Sequence, residues 1–438
     1  MPEPHPSAAE PRIRWLFLDL NSYFASVEQE LRPELRGRPV AVVPVMADTT
    51  CAIAASYEAK AFGVKTGTQV AEARRLCPGI QFIEARHDVY VKYHKRIVEA
   101  VEQCVPVSAV LSIDEMASSL MGREQPLRAA LALARRVKQA LREQVGETLR
   151  CSIGLAPNRY LAKIASDMEK PDGLVALTPD LLPGALERLK LRDLPGVGAR
   201  MEKRLHRAGI RTMEELLKLD RERMNAAWGG IQGEKLWYWL RGEDFHDAAL
   251  AHKKSISQSH VLPPELRTLE GCYAVAQKLL HKAATRLRAE RLWTASVALG
   301  IRFQVPRTVA PGTEAQRLHS SGIPQEGWSQ GTAVVECQDS QTLVEALRRL
   351  WELCPKDARH RKPFYVGVWL GNLVPDHLHT LDLFGNLERE SKRTRLTTAM
   401  DSLNARYGLT TLMPASMLLA KEAAPTRIAF TNIPDLFE

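Results

Sequence analysis

The sequence predicts a multidomain protein of mixed α/β (α+β) architecture. Apolar, strand-like runs alternate with amphipathic helices up to about residue 177, and a second alternation of β-α-β-β-α-β order starts near residue 253. Between them lies a helical stretch interrupted by glycines. At 438 residues the chain is too long for one core of ordinary size, so several domains are expected.

The first alternation begins with a mostly apolar run, residues 12–18, which is typical of a strand covered on both faces. Asn21 or Ser22 can cap the helix that follows. Residues 107–113 alternate in polarity, which predicts one strand that ends at Asp114. The predicted elements are strands at 12–18, 38–43, 107–113 and 149–155, and helices at 22–31, 56–63, 88–104, 125–144 and up to about Lys170.

The second half of the chain has a different pattern. Short helices flank a glycine turn within residues 191–219, and a linker is expected at 244–252. The later alternation predicts a ferredoxin-like split unit, which a tail follows. Its predicted elements are strands at 254–262, 292–303, 332–336 and 363–371, helices at 272–287 and 340–354, and a tail helix at about 390–407.

The formal charge of +9 is concentrated in one segment. Residues 251–310 hold ten Lys or Arg and three Glu. A basic face suits a polyanionic partner, because neutralising phosphates releases condensed counterions. A solvated, arginine-rich helix would give the same count, so charge favours a nucleic acid partner and leaves the simpler interpretation open.

Composition excludes several classes of protein. The seven cysteines form no CxxC pair and no regular framework, which argues against a zinc site and a disulfide scaffold. The first residues are rich in Pro and Ala and lack the apolar core of a secretory signal. No apolar stretch is long enough to span a bilayer. We therefore expect a soluble, intracellular protein without a membrane partner.

Three acids carry the clearest chemical signal. Asp19 ends an apolar strand, and Asp114 and Glu115 stand together further along the chain. Adjacent strands of one sheet would bring them to one edge, where carboxylates repel one another unless a cation is present. Hard oxygen ligands of this kind favour Mg²⁺. Taken singly, each acid could equally cap a helix or lie in a solvated turn.

Five segments, in this order, resemble motifs of the Y-family (UmuC/DinB-type) translesion DNA polymerases. "DLNSYFASVE" and "LSIDE" are similar to the two acidic motifs, and "SYEAKAFGVKTG" lies between them and is similar to the fingers motif. "GLAPNRYLAKIASDMEKPDG" resembles the late-palm motif and "DLPGVGARMEKRL" the thumb hairpin. The tail segment "RTRLTTAMDSLNARYG" resembles UmuC-type members, which indicates the UmuC-like branch.

The resemblance implies a right-hand polymerase with a palm, small fingers, a helical thumb with a helix-hairpin-helix, and a C-terminal ferredoxin-like little finger. The implied domains are a disordered N-terminus (1–11), the palm (12–22 and 86–177), the fingers (23–85), the thumb (178–243), a linker (244–252), the little finger (253–375) and a tail (376–438).

The same resemblance implies DNA synthesis opposite damaged template by two-metal-ion nucleotidyl transfer without proofreading, with Mg²⁺ as cofactor and Mn²⁺ able to replace it. Phe24 matches the steric gate that rejects a ribose 2′-hydroxyl, and Tyr23 is the second candidate for that role. The implied metal ligands are Asp19, Asp114 and Glu115, which are also catalytic, and the Leu20 carbonyl; the other implied nucleotide contacts are Ser22, Tyr57, Lys60 and Lys170.

The resemblance also implies partners. These are primer-template DNA, dNTPs and other proteins of the damage (SOS) response, met by a monomer in the nucleoid region of a bacterial cytoplasm. Two segments, "TLDLF" and "IPDLF", are similar to sliding-clamp peptides but lack the leading Gln. The implied DNA contacts are Gly196, Val197, Gly198, Lys253, Lys254 and Arg302, and the candidate clamp contacts are Leu383, Phe384, Leu436 and Phe437.

Two other functions stay open at this point. A catalytically weak or inactive DNA- and clamp-binding adaptor is compatible with two departures from the family pattern, Lys60 in place of Arg and the stretch 116–119 in place of an aromatic-containing one. The presence of all three acids weighs against that adaptor. A nucleotidyl cyclase also uses paired acids on a palm-like domain, but it needs neither a thumb hairpin nor a basic second α/β domain.

Overall fold

A computed structural model describes residues 10–48, 50–245, 254–304, 325–355, 362–380, 387–408 and 411–425, together with Ile428 and Ile433. The described chain forms two units, one up to residue 245 with Ile428 and Ile433, and one from Lys254 to Pro425. No helix in these ranges is long and apolar enough to cross a membrane.

The first unit combines short β-strands with α-helices. Its strands and helices are, in chain order, β1 (Trp15–Leu20), α1 (Tyr23–Leu31), β2 (Val40–Val43), β3 (Ala54–Ala55), α2 (Tyr57–Ala61), α3 (Val70–Leu76), β4 (Gln81–Glu84), α4 (His87–Glu102), β5 (Ala109–Val110), β6 (Glu115–Ser119), α5 (Leu127–Gln144), β7 (Cys151–Ala156), α6 (Arg159–Met168), β8 (Leu174–Ala176), α7 (Ala199–Arg207), α8 (Met213–Leu217), α9 (Arg221–Trp228) and α10 (Ile231–Trp239).

These strands form two sheets, one of five strands and one of three. The five-stranded sheet has the order β5-β6-β1-β7-β8, and β1 at its centre pairs antiparallel with both β6 and β7. Leu16 and Leu18 pack with α4 and α5, whereas Phe17 packs with α6 on the opposite face. The apolar run of β1 is therefore covered on both faces, as its sequence predicts.

Helix α6 lies directly on strand β7, where Gly154 leaves no room for a side chain. A Cβ at Gly154 would lie 2.0 Å from the carbonyl oxygen of Ala162 and 2.4 Å from the amide nitrogen of Ser166. The absence of a side chain at this position lets α6 approach the sheet closely.

The predicted strand at 107–113 is wrong. Its span contains only the two residues of β5, and β6 starts at Glu115 and runs back antiparallel to β5. The amides of Leu111 and Ser112 both donate to the Glu115 carbonyl, at 2.9 and 3.3 Å, and close a tight hairpin. Alternating polarity does not distinguish one continuous strand from a strand that enters such a turn.

The small sheet, of order β3-β2-β4, was predicted only at β2. Strands β3 and β4 and helix α3 did not stand out in the sequence, and α2 covers only part of the helix predicted at 56–63. Of the N-terminal residues expected to be disordered, Glu10 and Pro11 bond to α5, through the amides of Arg128 at 2.7 Å and Leu127 at 3.1 Å. Residues 1–9 lie outside the described part of the chain.

The second unit has the predicted β-α-β-β-α-β connectivity around one antiparallel sheet of order β11-β10-β12-β9. Strand β11 is longer than the predicted 332–336, because it pairs along β10 as far as Gln304, opposite Gln325. The elements are β9 (Ser255–Val261), α11 (Leu269–Ala289), β10 (Leu292–Gln304), β11 (Gln325–Cys337), α12 (Ser340–Glu352), β12 (Lys362–Pro375) and α13 (Leu387–Tyr407).

Candidate active site

The three predicted acids meet at one end of the five-stranded sheet. Asp19, near the end of β1, lies directly opposite Glu115 at the start of β6. The amide of Leu20 donates to the Asp114 carbonyl at 2.8 Å, so the hairpin turn is attached to the end of β1. Asp19 is only 6% exposed. The sheet therefore brings together acids that are almost a hundred residues apart in sequence, as their positions at strand ends suggested.

The turn that carries Asp114 is held from two sides. The Ser112 hydroxyl donates to the Asp114 carboxylate at 2.5 Å. His94 of α4 lies 2.8 Å from the Ile113 carbonyl through Nδ1, which must carry the proton because a carbonyl only accepts. Burial raises the pKa of Asp114, and the nearby Asp19 adds to that effect while Ser112 opposes it.

Two lysines of the α6 region neutralise this acidic edge. Lys163 Nζ lies 2.5 Å from Asp19 and 2.7 Å from Glu115, and Lys170 Nζ lies 2.7 Å from the other oxygen of Asp19. Asp167 pairs with both lysines, at 3.2 and 2.8 Å. Burial alone would lower the pKa of Lys163, but the surrounding carboxylates outweigh it and the pKa stands above its usual value.

Lys170 is among the nucleotide contacts predicted from the sequence, whereas Lys163 and Asp167 are not. A signal was present, because seven residues separate the two lysines and four separate Lys163 from Asp167. These spacings place side chains on one face of a helix.

The acidic edge is chemically suited to a divalent cation. Among the described residues, no group of three or more His, Cys, Asp or Glu side chains is placed to hold a metal ion as it stands. Instead, the Lys163 ammonium supplies positive charge between Asp19 and Glu115. Burial also raises the pKa of Glu115, with Lys163 opposing. Ionising all three carboxylates in this partly buried position is costly. A divalent cation offsets that cost, because it prefers hard oxygen ligands of this kind.

A third lysine approaches from α2. Lys60 Nζ donates to the Ser22 hydroxyl at 2.8 Å and lies 4.3 Å from the centre of the Tyr57 ring. Burial lowers the pKa of Lys60, and the positive charge of Lys170 lowers it further. The predicted contacts Ser22, Tyr57 and Lys60 therefore lie together, beside Lys170.

Neither candidate cap, Asn21 or Ser22, caps α1 through its side chain. Ser22 occupies the N-cap position, with a left-handed φ of 51° and no side-chain cap. Asn21 instead donates to the Ser152 hydroxyl at 3.0 Å and accepts from the Asp172 amide at 2.7 Å. It thus joins β1 to the loop that follows Lys170, a role that depends on tertiary contacts and leaves no local sequence pattern.

The two aromatics of α1 have different environments. Tyr23 is buried, and its hydroxyl donates to the Tyr90 carbonyl at 2.5 Å. The Tyr23 ring, the second candidate for the steric gate, thus packs in the core, and its predicted nucleotide contact stays a prediction. Phe24 is half-buried and stacks on the Tyr90 ring, with centroids 4.5 Å apart.

The predicted hairpin forms a turn before α7. Gly196 has a left-handed φ of 89°, and both Gly196 and Gly198 face open space where a side chain would stand. Val197 is buried in the core below them. A cavity lined by Lys163, Asp167 and the hairpin lies between α6 and this turn. Both glycines are exposed, so a ligand can approach the backbone of this turn closely.

Of the DNA contacts predicted in the second unit, Lys254 and Arg302 are exposed, and Arg302 lies 4.7 Å from the Tyr365 ring. Lys253 lies outside the described residues, as do all four candidate clamp contacts, Leu383, Phe384, Leu436 and Phe437.

Comparison with protein families gives three matches in chain order. Residues 18–167 match the impB/mucB/samB family, residues 192–244 match the thumb domain described for DNA polymerase-iota, and residues 253–383 match the C-terminal domain of the impB/mucB/samB family. The three matched segments cover the acidic edge, the hairpin and the second unit's sheet.

Similar whole proteins include two named DNA polymerase IV. One, from Moorella thermoacetica, is 37% identical over 90% of this chain and 93% of its own length. Another, from Pelotomaculum thermopropionicum, is 31% identical over 92% and 95%, respectively. A solved Y-family DNA polymerase chimera has a similar fold, with a TM-score of 0.66, 22% identity, and coverage of 82% of this chain and 99% of that one.

Proposed function

Because the chain belongs to the Y family of translesion DNA polymerases, we propose that the acidic edge of its first unit is the site of nucleotidyl transfer. The protein is a DNA-directed DNA polymerase, and the reaction is attack of a primer 3′-hydroxyl on the α-phosphate of an incoming dNTP. The observation that carries the site assignment is the direct pairing of Asp19 with Glu115, with Asp114 attached beside them through Leu20.

Asp19, Asp114 and Glu115 would hold the divalent cations on which such polymerases generally depend, and we propose two Mg²⁺ ions, which Mn²⁺ can replace. The Leu20 carbonyl is a proposed further ligand. Bound at this edge, the cations supply positive charge for the attacking and leaving oxygens. The three acids contribute by converging at one edge of the sheet, Asp19 and Glu115 from paired strands and Asp114 from the turn, and Lys163 would have to give way to the cations.

We assign the triphosphate to the lysines around the start of α1. Lys60 and Lys170 supply positive charge close to the acids. Lys170 forms an ion pair with Asp19, whereas Lys60 contacts Ser22 and Tyr57. When a nucleotide binds, Lys170 would exchange its carboxylate contacts for phosphate oxygens, and Lys60 would exchange its bond to the Ser22 hydroxyl. A lysine presents a point charge rather than a planar fork, so Lys60 restrains phosphate geometry less than an arginine would.

Phe24 is proposed to contact the deoxyribose and exclude a 2′-hydroxyl. Its position supports this role, because it lies two residues after Ser22 and keeps an exposed fraction, whereas Tyr23 is enclosed. Exclusion by collision requires a bulky side chain that can reach the sugar. Gly196 and Gly198 are proposed to bind primer-strand phosphate through their amides, and Lys254 and Arg302 to bind the duplex backbone.

Primer extension tests the assignment of the acids. Wild type is compared with Asp114→Ala/Glu115→Ala on undamaged and abasic templates with Mg²⁺, and Glu99→Ala/Glu102→Ala serves as a matched control because both residues are exposed. We expect extension by the wild type and the control, and loss of extension in the acidic-edge variant. Full activity in that variant would show that these acids are not the site.

The finer features are proposals as well. They comprise the domain boundaries predicted above, placement in the UmuC-like branch, a mutagenic role in the SOS response, a monomeric state and a place near the nucleoid in a bacterial cytoplasm. The two relatives described are named DNA polymerase IV and do not distinguish the branch.

We also propose a sliding clamp as a partner, bound through Leu383 and Phe384 or through Leu436 and Phe437. Pull-down by the clamp from the same organism should be lost when the pair in use is changed to Ala. Unchanged capture by both double variants would remove this partner.

A further inference from the structure

A buried carboxylate lies behind the start of α1. Glu28 is completely enclosed, and its two oxygens accept bonds from Arg86 at 3.1 and 2.5 Å. The Tyr90 hydroxyl donates a third bond to Glu28, at 2.8 Å. A buried charge is tolerated only when it is paired and hydrogen-bonded, and this arrangement meets both conditions. The three side chains therefore hold one another in fixed positions.

The Tyr90 ring connects this cluster to Phe24. Tyr90 is itself fully buried, and its carbonyl accepts a bond from the Tyr23 hydroxyl. Its ring stacks on Phe24 at an interplanar angle of 21°. His87, one turn earlier on α4, meets the Phe24 ring edge-on, with centroids 6.5 Å apart. Phe24 thus rests on an aromatic surface whose own position is fixed from behind by the ion pair of the buried Glu28 with the partly exposed Arg86.

We propose that Tyr90, held by Glu28 and Arg86, is a positioning residue that prevents the Phe24 ring from retreating and so sets the discrimination between deoxyribonucleotides and ribonucleotides. This inference rests on the proposed function of Phe24. Exclusion by collision works only if the colliding ring cannot yield, and a fully buried ring behind it has no free space to offer. The specificity of the site is therefore determined partly by residues that do not touch the sugar.

The test is single-nucleotide insertion by the full chain, with kcat/KM measured for a dNTP and for the matching rNTP. Loss of one aromatic pair is worth roughly a 2- to 12-fold change in an equilibrium or rate ratio. We expect Tyr90→Ala to lower the ratio of kcat/KM for dNTP to kcat/KM for rNTP by roughly 2- to 12-fold, through faster rNTP insertion. Tyr93→Ala, which truncates a tyrosine on the same helix, should leave the ratio unchanged, and Phe24→Ala gives the full loss for reference.

A purely structural role predicts a different result, with dNTP and rNTP insertion falling together at an unchanged ratio. That result in Tyr90→Ala, while Phe24→Ala loses discrimination, would overturn the inference and leave the proposed function intact. An unchanged ratio in Phe24→Ala would overturn both the sugar-contact assignment and the inference. Tyr90→Leu keeps an apolar side chain in the core and decides the question if Tyr90→Ala does not fold.

Discussion

Replacement of Lys163 by Met removes the positive charge between Asp19 and Glu115 and should destabilise the metal-free protein. Lys163 is only 20% exposed and contacts three carboxylates. Removing one partner of a buried ion pair costs about 3–5 kcal/mol. Asp19 retains its contact with Lys170, so we expect the lower end, about 3 kcal/mol. For a unit of this size that lowers Tm by roughly 6–12 °C.

Divalent cation should restore most of this loss. A single site at 100 times its Kd returns about 2.7 kcal/mol, and in Lys163→Met the cation no longer competes with the ammonium group. Thermal unfolding is followed in EDTA and in excess Mg²⁺, with Lys95→Met as an exposed control that should match the wild type. Equal Mg²⁺-induced shifts in Tm for the variant and the wild type would refute a shared site for lysine and metal.

Two further predictions concern pH and the loop after Lys170. Because burial raises the pKa of Asp114 above its unfolded value, metal-free wild type should lose stability as pH rises from about 4 through that raised pKa. Asp114→Asn should therefore be the more stable protein above this window in thermal unfolding with EDTA, and equal stability throughout would contradict the shift. Lys138 donates to the carbonyls of Asp172 at 2.6 Å and Gly173 at 3.1 Å, and to that of Cys151 on β7 at 3.0 Å. Lys138→Met should therefore free the loop and raise KM for dNTP more than it lowers kcat in steady-state insertion. Arg142→Met, 4.0 Å from Asp172 and exposed, is the control and should leave KM unchanged.

Much of the site could be predicted because Asp19 lies near the end of one strand and Glu115 begins the strand paired with it. The apolar run before Asp19 identifies a central strand, and period-2 alternation places Asp19 on the same face as Phe17, toward α6. The position of the acids at one edge follows from strand pairing alone. The clustering of Lys60 with Lys170 did not follow from any local pattern, and resemblance alone identified it.

The misses share a physical cause, which is dependence on distant contacts. The spacing of Lys163 to Lys170 and Asp167 indicates a shared helix face, but only its distance of 2.5 Å to Asp19 on another element places it at the acidic edge. Asn21 is a residue type that often caps helices, yet its side-chain oxygen accepts a hydrogen bond from the Asp172 amide instead. The hairpin at Asp114 carries no glycine, so its turn lacked the usual marker.

The close contact at Gly154 has a consequence for how this enzyme can change through mutation. Alanine, the smallest possible replacement, would drive a methyl group into the backbone of α6. That helix carries Lys163, so its displacement would alter the charge at the acidic edge without changing any residue there. Glycine at position 154 thus helps to set the distance between Lys163 and Asp19. We expect mutation to any larger residue to be selected against there, although Gly154 lies outside the acidic edge.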